Sequence, residues 1–209
     1  MTDVRTEHDS LGPLTVPAAA LWGAQTQRAV DNFPISGQPM PAAFITALAQ
    51  VKAACAQANQ ALGVVDEAIA TAIIEAAEAI AAGRHLDQFP VDVYQTGSGT
   101  STNMNANEVI ARLAGERLGR PVHPNDHVNA SQSSNDVIPT VTHVAVALAL
   151  ERQLLPALAR LTRCIRGRGA GLTNVIKTGR THLMDAMPLT LAQELSAWEA
   201  QIELGAARL

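Results

Sequence analysis

VTHVAVALALERQLLPALARLTRCI, residues 141–165, is the stretch that decides the fold class. Val144, Leu148, Leu155, Leu158 and Ile165 recur in it at helical spacing, which lines one face with apolar side chains over several turns. Pro156 sits inside and should kink or divide the helix, because proline removes a backbone donor and clashes with the preceding turn. Upstream, Pro41 to Leu62 predicts a helix with Phe44, Leu48, Val51 and Cys55 on one face and Gly63 as its stop. Asp66 can cap a second helix that runs to Ala82 and ends at Gly83, and a third is expected from Asn103 to Leu118, before Gly119. Downstream, Gly167, Gly169 and Gly171 mark a turn, and Asn174 to Lys177 reads as a short strand. A last helix starts near Leu189, with Leu191, Leu195, Trp198, Ile202 and Leu209 on one stripe. Residues 1–36 carry Gly12, Pro13, Pro17 and Gly23 between short apolar pieces and read as extended segments and turns.

Composition agrees with a helical core. Hydrophobic residues make up 47% of the 209, yet aromatics only 3%, so Ala, Leu, Val and Ile must fill the interior. A formal charge of −4 offers no basic field for nucleic acid. Val144 to Leu150, the longest apolar run, is far too short to span a membrane. The polar start from Met1 to Asp9 does not read as a secretory leader, and the expectation is a cytoplasmic protein. Cys55 and Cys164 follow no CxxC pattern and read as two buried thiols, not a disulfide.

Three polar stretches stand out, each read as leading into an Ala- and Leu-rich helix. The first, Thr96 to Asn107, contains Gly97-Ser-Gly-Thr100, whose glycines allow close approach and whose Ser98 and Thr100 add hydroxyls. It lacks the lysine of a phosphate loop and the third glycine of a dinucleotide fingerprint. The second, His123 to Asp136, contains Ser131-Gln-Ser-Ser-Asn-Asp136, which carries more hydrogen-bonding side chains than one helix cap requires, although a simple cap at Asn135 or Asp136 is the plain alternative. The third, Thr178 to Asp185, holds Thr181-His182, a histidine able to serve as general acid or base if a carboxylate orients it. His123, Asp126 and His127 raise a metal site, but Pro124 makes His123 a helix cap, and no further ligands follow at zinc spacing. A small anion at that helix start is the better functional reading, with capping alone as the alternative. Neutral donors gathered with one histidine suit a small carboxylate.

Taken together, these segments resemble the class II fumarases of the aspartase/fumarase superfamily. The likeness runs in order through Leu21-Trp-Gly-Ala-Gln-Thr-Gln-Arg28, Gln95-Thr-Gly-Ser-Gly-Thr100, His123-Pro-Asn-Asp126, Ser133-Ser-Asn-Asp136, Gly179-Arg-Thr-His-Leu183 and Pro188-Leu-Thr-Leu191. It implies a mainly α fold: an N-terminal helical domain with short β segments over residues 1–137, then the first part of a central helical bundle over 138–209. It implies reversible hydration of fumarate to (S)-malate in the tricarboxylic acid cycle, without a metal or organic cofactor, by a homotetramer. His182 would be the catalytic residue, with Ser98, Thr100, Ser133, Ser134, Asn135 and Thr181 binding the dicarboxylate. His123, Asn125 and Asp126 match a second carboxylate site. Aspartate ammonia-lyases typically carry Gln where this chain has His182, so an ammonia-lyase is the runner-up, and a non-catalytic carboxylate-binding or assembly fragment is the alternative of another class. Family members are more than twice this length and carry a further Gly-Ser-Ser-x-Met-Pro-x-Lys-x-Asn loop, so the expectation is that these 209 residues alone are inactive.

Overall fold

The computed structural model describes residues 3–209; Met1 and Thr2, part of the polar start read above, lie outside the described residues. It is mainly helical, with two small antiparallel hairpins, and divides into compact units Met1–Ala145 and Val146–Leu209.

In the first unit, strands β1 (Val4–Asp9) and β2 (Gly12–Pro17) form a hairpin that pairs Val4 with Pro17 and Asp9 with Gly12. Helix α1 (Ala24–Asn32) follows, then α2 (Ala42–Ala61), α3 (Glu67–Ala81), α4 (Thr100–Leu118) and most of α5 (Ser134–Ala149). A single π turn, Pro124–Val128, precedes α5. The core forms where α3 packs on both α2 and α4, around Ile45, Leu48, Ile73, Ile80, Val109 and Ile110. Small Ala47, Ala70 and Ala77, fully buried, let these helices approach closely.

Asp66 caps α3 as expected, its carboxylate accepting from the N–H groups of Ala68 and Ile69. Helix α1 contradicts the extended reading of residues 1–36. Its sequence is polar, and Gly23 at its start offers no side-chain cap. The cap arrives from α4. Glu108 accepts from Gly23 N–H at 2.9 Å, Gln25 N–H at 2.9 Å, Thr26 N–H at 3.1 Å and the Thr26 hydroxyl at 2.5 Å. A carboxylate is also favoured by the dipole at a helix N-terminus. The guanidinium of Arg5 fixes the preceding segment by donating to the carbonyls of Pro17, Ala18, Ala20 and Trp22.

Helix α4 begins at Thr100, one turn before the expected Asn103, because Gly99 supplies a left-handed turn into it. The 141–165 stretch lies in two helices: α5 ends at Ala149, a π turn covers Leu150–Leu154, and α6 (Leu155–Ala170) takes Pro156 into its first turn, where no amide donor is needed. Gly167 and Gly169 lie within α6 and do not form the expected turn, which comes at Gly171.

In the second unit, α6 packs on α7 (Leu191–Ala206), and Arg166 donates to Glu199 at 2.5 Å and Glu203 at 2.7 Å. Between them β3 (Ile176–Thr181) and β4 (Met184–Thr190) form a hairpin. The strand is thus displaced from the expected 174–177 and has a partner the sequence reading lacked. A Thr190–Gln193 capping box starts α7 two residues after the expected Leu189. Both cysteines are free, but Cys164 is exposed and Cys55 half-buried, which corrects the reading of two buried thiols.

Replacing Glu108 with Ala should destabilise the first unit by at least about 3 kcal/mol, since three N–H groups lose their acceptor at about 1–3 kcal/mol each. Glu116→Ala, which removes an exposed pair with Arg112, should cost less than about 0.5 kcal/mol. Urea unfolding of the two variants checks the contrast.

Candidate active site

Two of the three polar stretches meet in the first unit. Gly99 has φ +67°, and a β-carbon there would sit 3.0 Å from the Ile138 side chain. The Gly97–Thr100 turn therefore packs against the first turns of α5. There Ser133 caps the helix: its carbonyl accepts from Asp136 and Val137 N–H, and its hydroxyl from Asn135 N–H at 3.2 Å. Neither Asn135 nor Asp136, the expected caps, fills that position.

The hydroxyls form an open corner. Ser98 and Thr100 lie 2.9 Å apart, oxygen to oxygen, and both are exposed, as are Ser133 and Asn135. Ser134 is half-buried, and its hydroxyl accepts from Asn103 Nδ2 at 3.0 Å. Every one of these groups is neutral. They can donate hydrogen bonds to a carboxylate without a fixed ion pair.

Residues the sequence reading missed hold this corner from beneath. Gln95 bridges the first turn: Oε1 accepts from Thr102 N–H at 2.9 Å, and Nε2 donates to the Thr102 hydroxyl at 2.6 Å. Asp92, which fixes the segment before it, accepts from the N–H groups of Ser36, Gly37 and Tyr94. Those bonds, the one from Tyr94 foremost, hold its carboxyl down at about 2. Fully buried Lys52, on α2, donates to Asn129 Oδ1 and Gln132 Oε1, both at 2.9 Å, and Asn103 Nδ2 also reaches Asn129 Oδ1 at 3.2 Å. Burial pushes the Lys52 ammonium down to about 7, partly offset by Cys55 on the next turn. No local pattern announces Lys52, since its partners lie 77 and 80 residues along the chain.

Thr181 and His182 belong to the second unit. The third stretch does not lead straight into a helix: His182 and Leu183 form the two-residue turn between β3 and β4, at φ +49° and +62°. That pair of left-handed residues suits the right-handed twist of a hairpin and carries strain in non-glycine residues. Thr181, His182 and Leu183 are exposed. Gly179 is required by close approach, because a β-carbon there would lie 2.5 Å from the Met187 carbonyl oxygen.

His123 caps the π turn, as its proline neighbour implied. Its Nδ1 accepts from Asp126 N–H at 3.1 Å, and its own N–H donates to His127 Nδ1 at 2.9 Å. His123, Asn125 and Asp126 are exposed. Beside His123 lies a cavity of about 590 Å³ that Arg5, Glu7, Trp22, Glu108 and Arg112 also line. No cluster of three or more metal-ligating side chains occurs among the described residues.

The family described as lyase matches residues 12–209. A class II fumarate hydratase of Xylella fastidiosa is 60% identical over 205 residues, 98% of this chain and 43% of that protein. Its counterpart from Nitrosomonas europaea is 54% identical over 215 residues, all of this chain and 46% of that protein. Among solved structures, a fumarate lyase:delta crystallin from Brucella melitensis superposes with a TM-score of 0.94 at 46% identity, covering 99% of this chain and 50% of that one. A recombinant class II fumarase from Schistosoma mansoni gives 0.93 at 38% identity, covering 98% and 44%. The chain thus spans less than half the length of the curated relatives it matches.

Gly99→Ala should destabilise the first unit by about 1–3 kcal/mol, through left-handed strain and the Ile138 contact together. Adding Ile138→Ala to that variant should relieve the contact but not the strain, so its further cost should be smaller than that of Ile138→Ala alone; additivity in denaturant titrations would refute the contact. Lys52 yields a pH prediction. It releases its proton near 7 when folded and near about 10.4 when unfolded, so between these values the unfolded state binds more protons and stability rises with pH. The stability difference between the wild type and Lys52→Met should therefore shift in favour of the wild type from pH 7 to 10. Parallel curves would show that Lys52 titrates normally.

Proposed function

Because this chain belongs to the lyase family, matched over residues 12–209, we propose that it forms part of a fumarate hydratase, adding water reversibly and anti across fumarate to give (S)-malate. The observation that carries this reading is the neutral corner of Ser98, Thr100, Ser133, Ser134 and Asn135, assembled from two distant stretches by the Gly99–Ile138 contact. Hydroxyl and amide donors grip a carboxylate by charge-assisted hydrogen bonds. They fix its direction while leaving the double bond free to react.

In this reading His182 handles the proton of the adding hydroxyl, with Thr181 beside it at the substrate. Its exposed place in a tight turn supports such a role, because an exposed histidine can exchange protons with a ligand. Anti addition needs a second group on the opposite face of the double bond, drawn from the further length that the relatives possess. His123, Asn125 and Asp126 would hold a second carboxylate. The completed enzyme would be a cytoplasmic homotetramer of the tricarboxylic acid cycle, with residues 1–137 as its N-terminal domain and 138–209 opening its central bundle. It would need neither metal nor organic cofactor. Exposed Trp198, Leu204 and Leu209 support assembly, since such apolar surface favours burial against other chains.

The test joins this chain to the C-terminal remainder of the Xylella fastidiosa relative and assays both fumarate hydration and ammonia release from aspartate. Hydration is expected. Ammonia release without hydration would transfer the assignment to an aspartate ammonia-lyase, and the 209 residues alone are expected to leave fumarate unchanged. In the joined protein, His182→Asn should lower kcat by about 10²–10⁴-fold with a smaller change in KM. An unchanged kcat with a raised KM would reassign His182 to binding.

A further inference from the structure

The corner offers an anion only neutral donors, yet a cation is buried beneath it. Lys52 is wholly excluded from solvent and sends two of its hydrogen bonds to Asn129 and Gln132, the residues just before Ser133. Asn129 shares its Oδ1 with Asn103, which in turn holds the Ser134 hydroxyl. The side chain of Gln132 turns back to the carbonyls of Val128 and Ala130, and Asn59 of α2 also holds Ala130, so the segment is pinned as one piece.

The side chains that accept from the Lys52 ammonium are uncharged. Asn103 comes from α4, and Asn129 and Gln132 from the segment before α5. Cys55 on α2 is the titratable group that acts on it, and burial pushes that thiol's own titration up. Glu67, Glu75 and Glu78 of α3 are exposed, Asp126 of the π turn is exposed, and His127 engages the His123 N–H. Among the described residues Lys52 has no carboxylate partner.

Resting on the dicarboxylate reading above, we propose that Lys52 is the counter-charge of the carboxylate site: a positioning residue that acts on the Ser133–Ser134 corner through Asn129, Gln132 and Asn103, and whose charge is balanced by the bound anion. A buried ammonium without an acid is costly, and a carboxylate at the corner lowers that cost. The bound anion therefore raises the proton affinity of Lys52. In the free chain burial holds its titration near 7, so above that pH carboxylate binding takes up a proton and the affinity falls as pH rises, by at most tenfold per pH unit.

The chain contains two lysines, Lys52 and Lys177, which makes a direct test possible. The full chain, labelled with ¹³C at lysine Cε, is titrated by NMR from pH 5.5 to 10.5 with and without succinate, a dicarboxylate that cannot be hydrated. Lys177→Arg assigns the two signals. Lys52 is expected to titrate near 7 in the free chain and at least one pH unit higher with succinate bound. A free-chain titration in the ordinary lysine range would overturn the proposal. So would an unmoved titration while the amides of Ser133–Asn135 shift on adding succinate, and that result would leave the dicarboxylate reading intact. Failure of succinate to move any of those amides would show that the corner does not hold a carboxylate in this chain, and would overturn the role assigned to Lys52. Lys52→Met should bind succinate at least tenfold more weakly at pH 6.5, with affinity flat to pH 9; wild-type affinity and pH dependence in that variant would refute the role.

Discussion

Helix α4 is buried along most of its length and yet carries Thr102, Asn103, Asn105, Asn107 and Glu108 inside. Buried polar groups must be paired or they cost about 1–3 kcal/mol each, so whatever touches α4 has to bring donors and acceptors. Much of the first unit follows from that demand. Glu108 gathers the segment from Gly23 to Thr26, Asn105 holds the Gln88 carbonyl, Thr102 is bracketed by Gln95, and Asn103 reaches Ser134. The demand is not fully met: the Oδ1 atoms of Asn103, Asn105 and Asn107 have no hydrogen-bond partner among the described residues. A helix held by such directional contacts is fixed in rotation as well as in depth, unlike one held by apolar contact alone.

That rotation is what the open corner needs. The apolar contacts between α2, α3 and α4 involve small and branched side chains that would tolerate a slight slide. Hydrogen bonds at 2.6–3.2 Å from Gln95 and Asn103 would not. The hydroxyls of Ser98, Thr100 and Ser134 thus inherit their positions from a polar layer one shell deeper, where Gln95, Asn103, Asn129 and Lys52 are stationed. Precision at the surface is set by residues that a ligand would never touch.

Local signals made helices α2 and α3 legible. Asp66, Gly83 and the apolar spacing of α2 and α3 act within a few residues, so reading the chain in order suffices. Helix α1 was hidden because its cap, Glu108, lies 85 residues from Gly23. The second hairpin was hidden for another reason: His182-Leu183 has none of the Asn or Gly residues that announce a two-residue turn, and Pro188 argues against a strand unless it is an edge, as it is here. Of the candidate site, the hydroxyls were legible as an excess of donors over what capping requires. Their convergence was not, since the Gly99–Ile138 contact depends on how α4 and α5 pack.

The Glu108 cap also has a temporal side. Arg5 finds its carbonyl partners within 17 residues, so the N-terminal hairpin can close almost as soon as it is made. The start of α1 must wait for residue 108. At synthesis rates of about 5–20 residues per second, the 85 residues between Gly23 and Glu108 take about 4–17 s to appear. For that interval the segment around Trp22 carries unpaired amides and an unburied indole on the nascent chain, long enough for a chaperone to find it. The order in which this protein leaves the ribosome is the reverse of the order in which its first helix can be secured.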